Sequence, residues 1–154
     1  MSKTLLMVLL FGFATAASAT TEPAVSVTEG SFAAQARAIE KTLSDGKTYA
    51  EMSRAERDEV RSILGRMANR LEGVQTVEEL SENDRLELFN DQERVNAMLV
   101  KGYADSRLVC DKQGRTGTHF RETRCQTVAE RRRRSEIDQN NMRAVQRSPV
   151  PLSN

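Results

Sequence analysis

The stretch Thr48-Tyr-Ala-Glu-Met-Ser-Arg-Ala-Glu-Arg-Asp-Glu-Val60 returns 28 positions later as Thr76-Val-Glu-Glu-Leu-Ser-Glu-Asn-Asp-Arg-Leu-Glu-Leu88. In both copies the serine at the sixth position can cap a helix, and an acidic residue follows it by three positions, as in a capping box. The apolar positions recur with the same offset and with helical spacing. They form the pairs Val60 and Leu88, Met67 and Val95, and Leu71 and Leu99. The repeat therefore predicts two similar amphipathic helices.

These two helices should pack against each other as an antiparallel helical hairpin. The connection, Gly73 to Thr76, is short enough to make the helices neighbours. Two copies are too few for a solenoid, so we predict a hairpin and no repeat array. A shorter helix is predicted upstream, over residues 33–43, because Ser31 can cap it and Asp45-Gly46 can end it.

The first nineteen residues have the pattern of an export signal. Lys3 gives a positive start, residues 5–13 are almost wholly apolar, and Ala17-Ser18-Ala19 is a small-residue cleavage site. The apolar run is about half of the ~20 residues that a spanning helix needs. We therefore expect cleavage after Ala19, a periplasmic or secreted protein, and no transmembrane segment in the mature chain. The remainder is predicted to comprise a flexible leader over 20–30, a single small α-rich domain over 31–147 and a disordered tail over 148–154.

Two cysteines, Cys110 and Cys125, lie in the second half of the chain. In an oxidising compartment such a pair favours a disulfide bond. Their spacing is unlike that of thiol oxidoreductases, and a single histidine leaves no second set of ligands for zinc. Cys110 lies in residues 107–113 and Cys125 in residues 120–126, and both segments have the pattern of a β-strand. If the two cysteines face each other across a hairpin, Asp111 lies opposite Arg124. We predict a small disulfide-closed β-hairpin.

The charges of the chain are balanced overall but unevenly distributed. The 154 residues include 23 Lys and Arg and 22 Asp and Glu, and they suit one modest domain better than a large enzyme. Residues 20–100 carry 10 basic and 16 acidic side chains, a net charge of −6, whereas residues 101–154 carry 12 and 6, a net charge of +6. Either the basic end meets an acidic partner or the two halves attract each other within the folded chain.

A last helix is predicted from the capping box Thr127-Val-Ala-Glu130 to about Arg147, and it begins with a run of four arginines. Its apolar face is thin, which leaves much of the helix solvated or ready for a partner. The candidate binding residues are Arg121, Arg124, Arg131, Arg132, Arg133 and Arg134. Because four consecutive residues point around a whole turn, the alternative is a solvated helix. Nucleic acid is not the predicted partner, because the net charge is small and aromatic residues are few.

The second hairpin helix is predicted over residues 82–101, and polar residues interrupt its apolar stripe at Gln92 and Asn96. They indicate either a small polar site, with His119 as the only histidine, or amides that tie the helix to the backbone of a neighbouring loop. The sequence nominates no catalytic residue, since no acid and base pair stands out. It likewise predicts no metal site and no cofactor, because phosphate-binding glycine loops and metal-ligand spacings are missing.

Several short motifs resemble those of an uncharacterised family of small exported, signal-peptide-bearing proteins of Proteobacteria. The motifs are Phe89-Asn-Asp-Gln-Glu-Arg-Val-Asn96, Asp105-Ser-Arg-Leu-Val-Cys110, Thr116-Gly-Thr-His119 and Cys125-Gln-Thr-Val-Ala-Glu130. The resemblance covers roughly residues 48–135. It implies export and a bridge between the two cysteines, and it implies no activity.

The function predicted from the sequence is that of an exported, non-enzymatic interaction module. Its basic C-terminal part would dock to an acidic protein or to an anionic envelope surface, and homodimerisation is a further possibility. The alternative is a small enzyme or enzyme inhibitor that uses a polar cleft near Gln92, Asn96 and His119. A concave pocket with convergent polar groups would favour the alternative, whereas an exposed basic or apolar face would favour the interaction module.

Overall fold

The computed structural model describes residues 24–114 and 121–147. The predicted signal peptide, His119 and the predicted tail over 148–154 lie outside these residues. The described chain is mainly helical, as the sequence predicts. Its elements are α1 (Phe32–Ser44), α2 (Arg54–Arg70), α3 (Glu82–Ser106), β1 (Leu108–Gly114), β2 (Arg121–Thr127) and α4 (Val128–Arg147), with a 3₁₀ turn at Val77–Glu79.

The predicted serine caps start the first three helices. The Ser31 hydroxyl accepts a hydrogen bond from the Ala34 amide. At α2 the capping box is complete, because the Ser53 hydroxyl accepts from the Glu56 amide at 3.2 Å while the Glu56 carboxylate accepts from the Ser53 amide at 2.8 Å. The Ser81 hydroxyl accepts from the backbone amide three residues on. Each cap satisfies a backbone N–H that the helix itself leaves unpaired.

The core lies between α2 and α3 and is completed by α1, which confirms the predicted helical hairpin. Five of the six predicted stripe residues have no exposed surface: Val60, Met67, Leu88, Val95 and Leu99. The sixth, Leu71, is only partly buried because it is the C-cap residue of α2. Ile39 and Leu43 of α1 join the same cluster.

The second hairpin helix is longer than the sequence indicates, since α3 continues to Ser106 whereas the apolar pattern predicts an end near 101. The reason lies at Gly102, which is buried inside the helix. A β-carbon built there would be 2.6 Å from Met52 Cε and 3.2 Å from Tyr49 Cδ1. Gly102 is therefore a contact point between α3 and the loop before α2, and it does not end the helix.

The β-hairpin has the predicted register, with each strand beginning and ending one residue later than the sequence pattern suggests. Cys110 lies opposite Cys125 and forms the disulfide, and Asp111 lies opposite Arg124. Both cysteines are exposed, and the described side chains of the two strands contribute nothing to the hydrophobic core cluster. The hairpin thus lies outside the helical core.

The described part of the leader, residues 24–30, contains neither helix nor strand. Even so, Val25 is only 2% exposed and belongs to the core cluster. The sequence predicts a flexible leader over residues 20–30 and does not predict the burial of Val25. The cause is a set of hydrogen bonds from helix side chains, described below.

Candidate interaction groove between the β-hairpin and α4

The arginine run occupies the first two turns of α4, whose start is fixed by Thr127 and Glu130. The Glu130 carboxylate accepts from the Thr127 amide at 2.9 Å, and the Thr127 hydroxyl accepts from the Glu130 amide at 3.0 Å. This is the predicted capping box. Because consecutive helical residues point in different directions, the four arginines that follow do not share one face.

Three of the four arginines have acidic partners within the chain. Arg132 makes two contacts with the Asp105 carboxylate, at 2.9 and 3.4 Å. Arg133 donates to Glu51 at 2.8 Å, and an ion pair at 3.6 Å joins Arg131 to Asp111. These contacts hold the first turns of α4 against the end of α3, the loop before α2 and strand β1.

Glu51 is the centre of this contact region. One of its carboxylate oxygens accepts from Arg133, and the other accepts from the Thr127 hydroxyl at 2.7 Å. Its backbone amide donates to the Ser106 hydroxyl at 2.9 Å. These bonds lower the pKa of the Glu51 carboxyl, with Arg133 as the main cause and Thr127 as the second. The charged form of Glu51 is therefore the one that the folded chain favours.

The neighbouring ion pair has the same electrostatic character. The hydrogen bond from Arg132 is the main reason that the pKa of Asp105 is lowered. The same bond raises the pKa of Arg132, and the bond to Glu51 raises that of Arg133. The pairs Arg132–Asp105 and Arg133–Glu51 are thus charged at neutral pH, and both arginines have partners inside the molecule.

A groove of about 700 Å³ lies between β2 and α4. Its walls include Arg124 and Cys125 from the strand, and Arg134, Ile137 and Asp138 from the helix. Neither Arg124 nor Arg134 forms an ion pair or side-chain hydrogen bond with another described residue. The groove therefore offers two exposed guanidinium groups without a partner among the described residues, and an apolar side chain, Ile137, lines it as well.

Exposed apolar side chains continue from this groove along α4. Ile137 is 59% exposed, Met142 64% and Val145 75%. Beyond Ala129 every residue of the helix is exposed, so most of α4 stands away from the core. These exposed apolar side chains offer contact area for a partner.

The structure does not bring the remaining predicted site residues into this groove. Arg121 begins β2, opposite Gly114, and its side chain lies outside the described residues. Gln92 and Asn96 lie on α3, where their side-chain oxygens accept from the backbone amides of Val27 and Val25, both at 2.8 Å. This confirms the predicted tie between the helix and a loop backbone. The polar cleft of the alternative prediction is thus occupied by the chain itself at these two amides.

Sequence reasoning missed Glu51 as the main partner of the arginine run. Glu51 belongs to the first copy of the repeat, where it reads as an ordinary solvated acid before a helix. Its partner Arg133 is 82 positions away along the chain. No local pattern signals a pair of that separation.

Over residues 24–114 and 121–147, no group of three or more potential metal ligands is placed to hold an ion. Among the helices of the same residues, none combines the length and the apolar character needed to span a bilayer. The chain matches no protein-family model, and comparison with curated proteins and with solved structures finds no match. The resemblance to exported proteobacterial proteins stays a prediction.

Proposed function

We propose that this protein is an exported, non-enzymatic interaction module, and that its groove between β2 and α4 binds an acidic segment of a partner protein. The observation that carries the proposal is that Arg124 and Arg134 form no ion pair within residues 24–114 and 121–147 and line one groove with the exposed Ile137. The disulfide is consistent with a periplasmic or secreted location, since such bonds persist in oxidising compartments.

The lining of the groove favours a protein segment over an anionic membrane surface. Asp138 and Glu130 stand beside the two arginines. These carboxylates would repel a continuous anionic surface, and a flat bilayer would not enter a concave groove. A peptide can place its carboxylates against Arg124 and Arg134 and its apolar side chains against Ile137.

The test compares two double variants that remove the same charge. R124Q/R134Q removes the unpaired arginines, whereas R131Q/R132Q removes two that are paired inside the chain. The probe is a labelled peptide of alternating Glu and Leu, with a Gln and Leu peptide as its neutral counterpart. We expect R124Q/R134Q to lose about tenfold in affinity with an unchanged melting temperature. R131Q/R132Q should keep the affinity and melt at a lower temperature.

Salt and lipid provide two further readouts of the same proposal. Binding of the acidic peptide should weaken from low salt to roughly 0.5 M, because screening shortens exposed charge interactions to a few ångströms. The proposal is wrong if both double variants lose affinity equally, since bulk charge then explains binding. It is also wrong if the wild-type chain binds vesicles containing phosphatidylglycerol but not the acidic peptide, because the surface then recognises lipid.

A further inference from the structure

Side-chain amides from two helices hold three consecutive backbone units of the leader. Asn96 of α3 accepts from the Val25 amide at 2.8 Å and donates to the Val25 carbonyl at 3.0 Å. Gln92, one helical turn earlier, accepts from the Val27 amide at 2.8 Å. The residue between them, Ser26, is bonded on the other side by Gln35 of α1.

This alternation is the bonding pattern of an extended strand. Gln35 accepts from the Ser26 amide at 2.7 Å and donates to its carbonyl at 3.0 Å, so residues 25 and 27 face α3 while residue 26 faces α1. Together α1 and α3 replace the two neighbouring strands of a sheet. We call the space between them, defined by Gln35, Gln92 and Asn96, the amide groove.

The amide groove recognises mainly backbone, with a single apolar anchor. Val25 is 2% exposed and Val27 is partly buried, whereas Thr28 and the residues after it are exposed. Recognition through backbone N–H and C=O groups plus a pocket for one side chain is how proteins bind extended peptides. The groove therefore has the features of a peptide-binding site, with the leader as its ligand.

The leader is joined to α1 at a point where the backbone can turn. Gly30 has a φ of +68°, a conformation that glycine adopts without strain, and it separates the held residues from Ser31, the helix cap. A rotation at Gly30 would release the segment and leave α1 intact. The side-chain amides of Gln35, Gln92 and Asn96 and the pocket of Val25 would then lack their partners. Because unpaired polar groups in a groove cost free energy, binding of an identical segment there is favoured.

We propose that the amide groove also accepts residues 24–29 of a second copy of this chain, so that two molecules associate by exchanging leaders. The second copy carries the same segment, so each contact of the released leader is replaced by the same contact from the partner. Exchange of identical elements is a low-cost route to dimers for this reason. The amide groove is built from α1 and α3, and the groove between β2 and α4 is not involved.

Two full-length variants test separately whether a chain can donate its leader and whether it can bind the leader of a second copy. The acceptor chain carries Val25→Asp, which removes the apolar side chain that its own leader buries but leaves the amide groove unchanged. A donor chain carries Asn96→Leu, which removes the main amide contact and keeps its leader. We expect each variant alone to be monomeric in sedimentation velocity and their mixture to contain a one-to-one dimer. With Val25→Asp added to the donor chain, the mixture should stay monomeric.

A synthetic peptide with the sequence of residues 24–30 tests the groove directly. The acceptor chain should bind it at least about tenfold more tightly than the wild type does, because a filled groove reduces the apparent affinity. The same peptide with Val25→Asp should not bind. If the strong variants do not fold, Val25→Ser and Asn96→Ser replace them. In the wild-type chain, added peptide should speed hydrogen exchange at the Val25 and Val27 amides.

Two results would overturn the proposal. The first is a monomeric mixture of folded donor and acceptor chains. If the acceptor chain still binds the peptide in that case, the groove takes peptides but not a second copy. The second is a dimer that persists after Val25→Asp is added to the donor chain, because its contacts then lie elsewhere.

Discussion

Two glycines inside helices show that the effect of a residue on stability depends on what surrounds it. Gly65 lies on the exposed side of α2, and a β-carbon there would meet nothing within 4 Å. Gly102 lies within α3, where a β-carbon would be 2.6 Å from the end of Met52 and 3.2 Å from the ring of Tyr49. Helix propensity predicts the same effect of both glycines, but only Gly102 has tertiary contacts that leave no room for a β-carbon.

Alanine substitution should therefore stabilise the protein at Gly65 but not at Gly102. Gly65→Ala should raise the free energy of unfolding by about 1 kcal/mol, because glycine weakens a helix interior by that amount. At Gly102 the same gain meets an overpacking cost of about 1–3 kcal/mol, so Gly102→Ala should be neutral or destabilising. Urea unfolding of both variants measures the difference. Equal stabilisation by both would show that Met52 gives way freely.

The amides of α3 show what a single sequence can and cannot reveal about a residue. Polar side chains on an apolar stripe need partners, and this rule correctly predicts that Gln92 and Asn96 bind a loop backbone. It does not identify the loop. The bonded segment lies 65 and 71 positions earlier, in a stretch without periodicity. Which segment binds in a groove depends on the shape that the helices form when they pack, and local sequence patterns do not predict this shape.

At the level of elements, the β-hairpin depends on its disulfide more than the helices do. Cys110 and Cys125 lie opposite each other and close a loop with a sequence separation of 15. A two-stranded sheet alone is marginally stable in water. Since the described side chains of both strands are absent from the core cluster, the hairpin gains little from helix packing.

Replacing both cysteines by serine should therefore open the hairpin and spare the helical core. The bridge should contribute roughly 3 kcal/mol by restricting the unfolded loop. In hydrogen exchange, the amides of β1 and β2 should lose protection while those around Val60 and Leu88 keep theirs. As a check on the bond, thiol titration of the denatured wild type without reductant should find no free cysteine. A cooperative loss of protection in α2 and α3 would contradict this separation.

The elements differ in how well the sequence predicts them. The helical hairpin follows from a repeat in which caps and apolar spacing agree, and the strand register follows from two cysteines that can meet in one way. The end of α3 is missed because Gly102 looks like a stop when only local pattern is read. The packing of α4 is predicted only in outline. The sequence leaves open whether the basic charge meets acids within the chain or a partner, and three of the arginines pair with acids that are distant in sequence.

For the whole molecule, the charge imbalance of the sequence has a structural outcome. The acidic and basic parts of the chain meet where Arg133 binds Glu51 and where Lys101 approaches Glu56 at 3.5 Å. The structure thus supports the explanation in which the two parts of the chain attract each other. The acidic partner stays a proposal, in which Arg124 and Arg134 would be the contacting residues.

Because these ion pairs need charged carboxylates, the stability of the fold should decrease as the pH falls, and Glu51 contributes to this dependence. The pKa of Glu51 is lowered below its ordinary value of 4.5, chiefly by Arg133. A carboxyl group with a lowered pKa in the folded state stabilises the fold fully above its unfolded pKa. It loses that contribution as the pH falls through the folded pKa. Asp105 acts in the same direction through its bond to Arg132.

Glu51→Gln should therefore lower the melting temperature at neutral pH and flatten its decline in acid. The amide can still accept from the Thr127 hydroxyl, so the variant removes mainly the ionic contact with Arg133. Melting curves measured from about pH 7 down to about pH 3 should show wild type and variant converging as Glu51 becomes protonated. Glu93→Gln, an equal charge change at an exposed residue of α3 without an ion pair among the described residues, is the control. Parallel wild-type and Glu51→Gln curves across this range would mean that Glu51 does not couple α4 to the helical core through its charge.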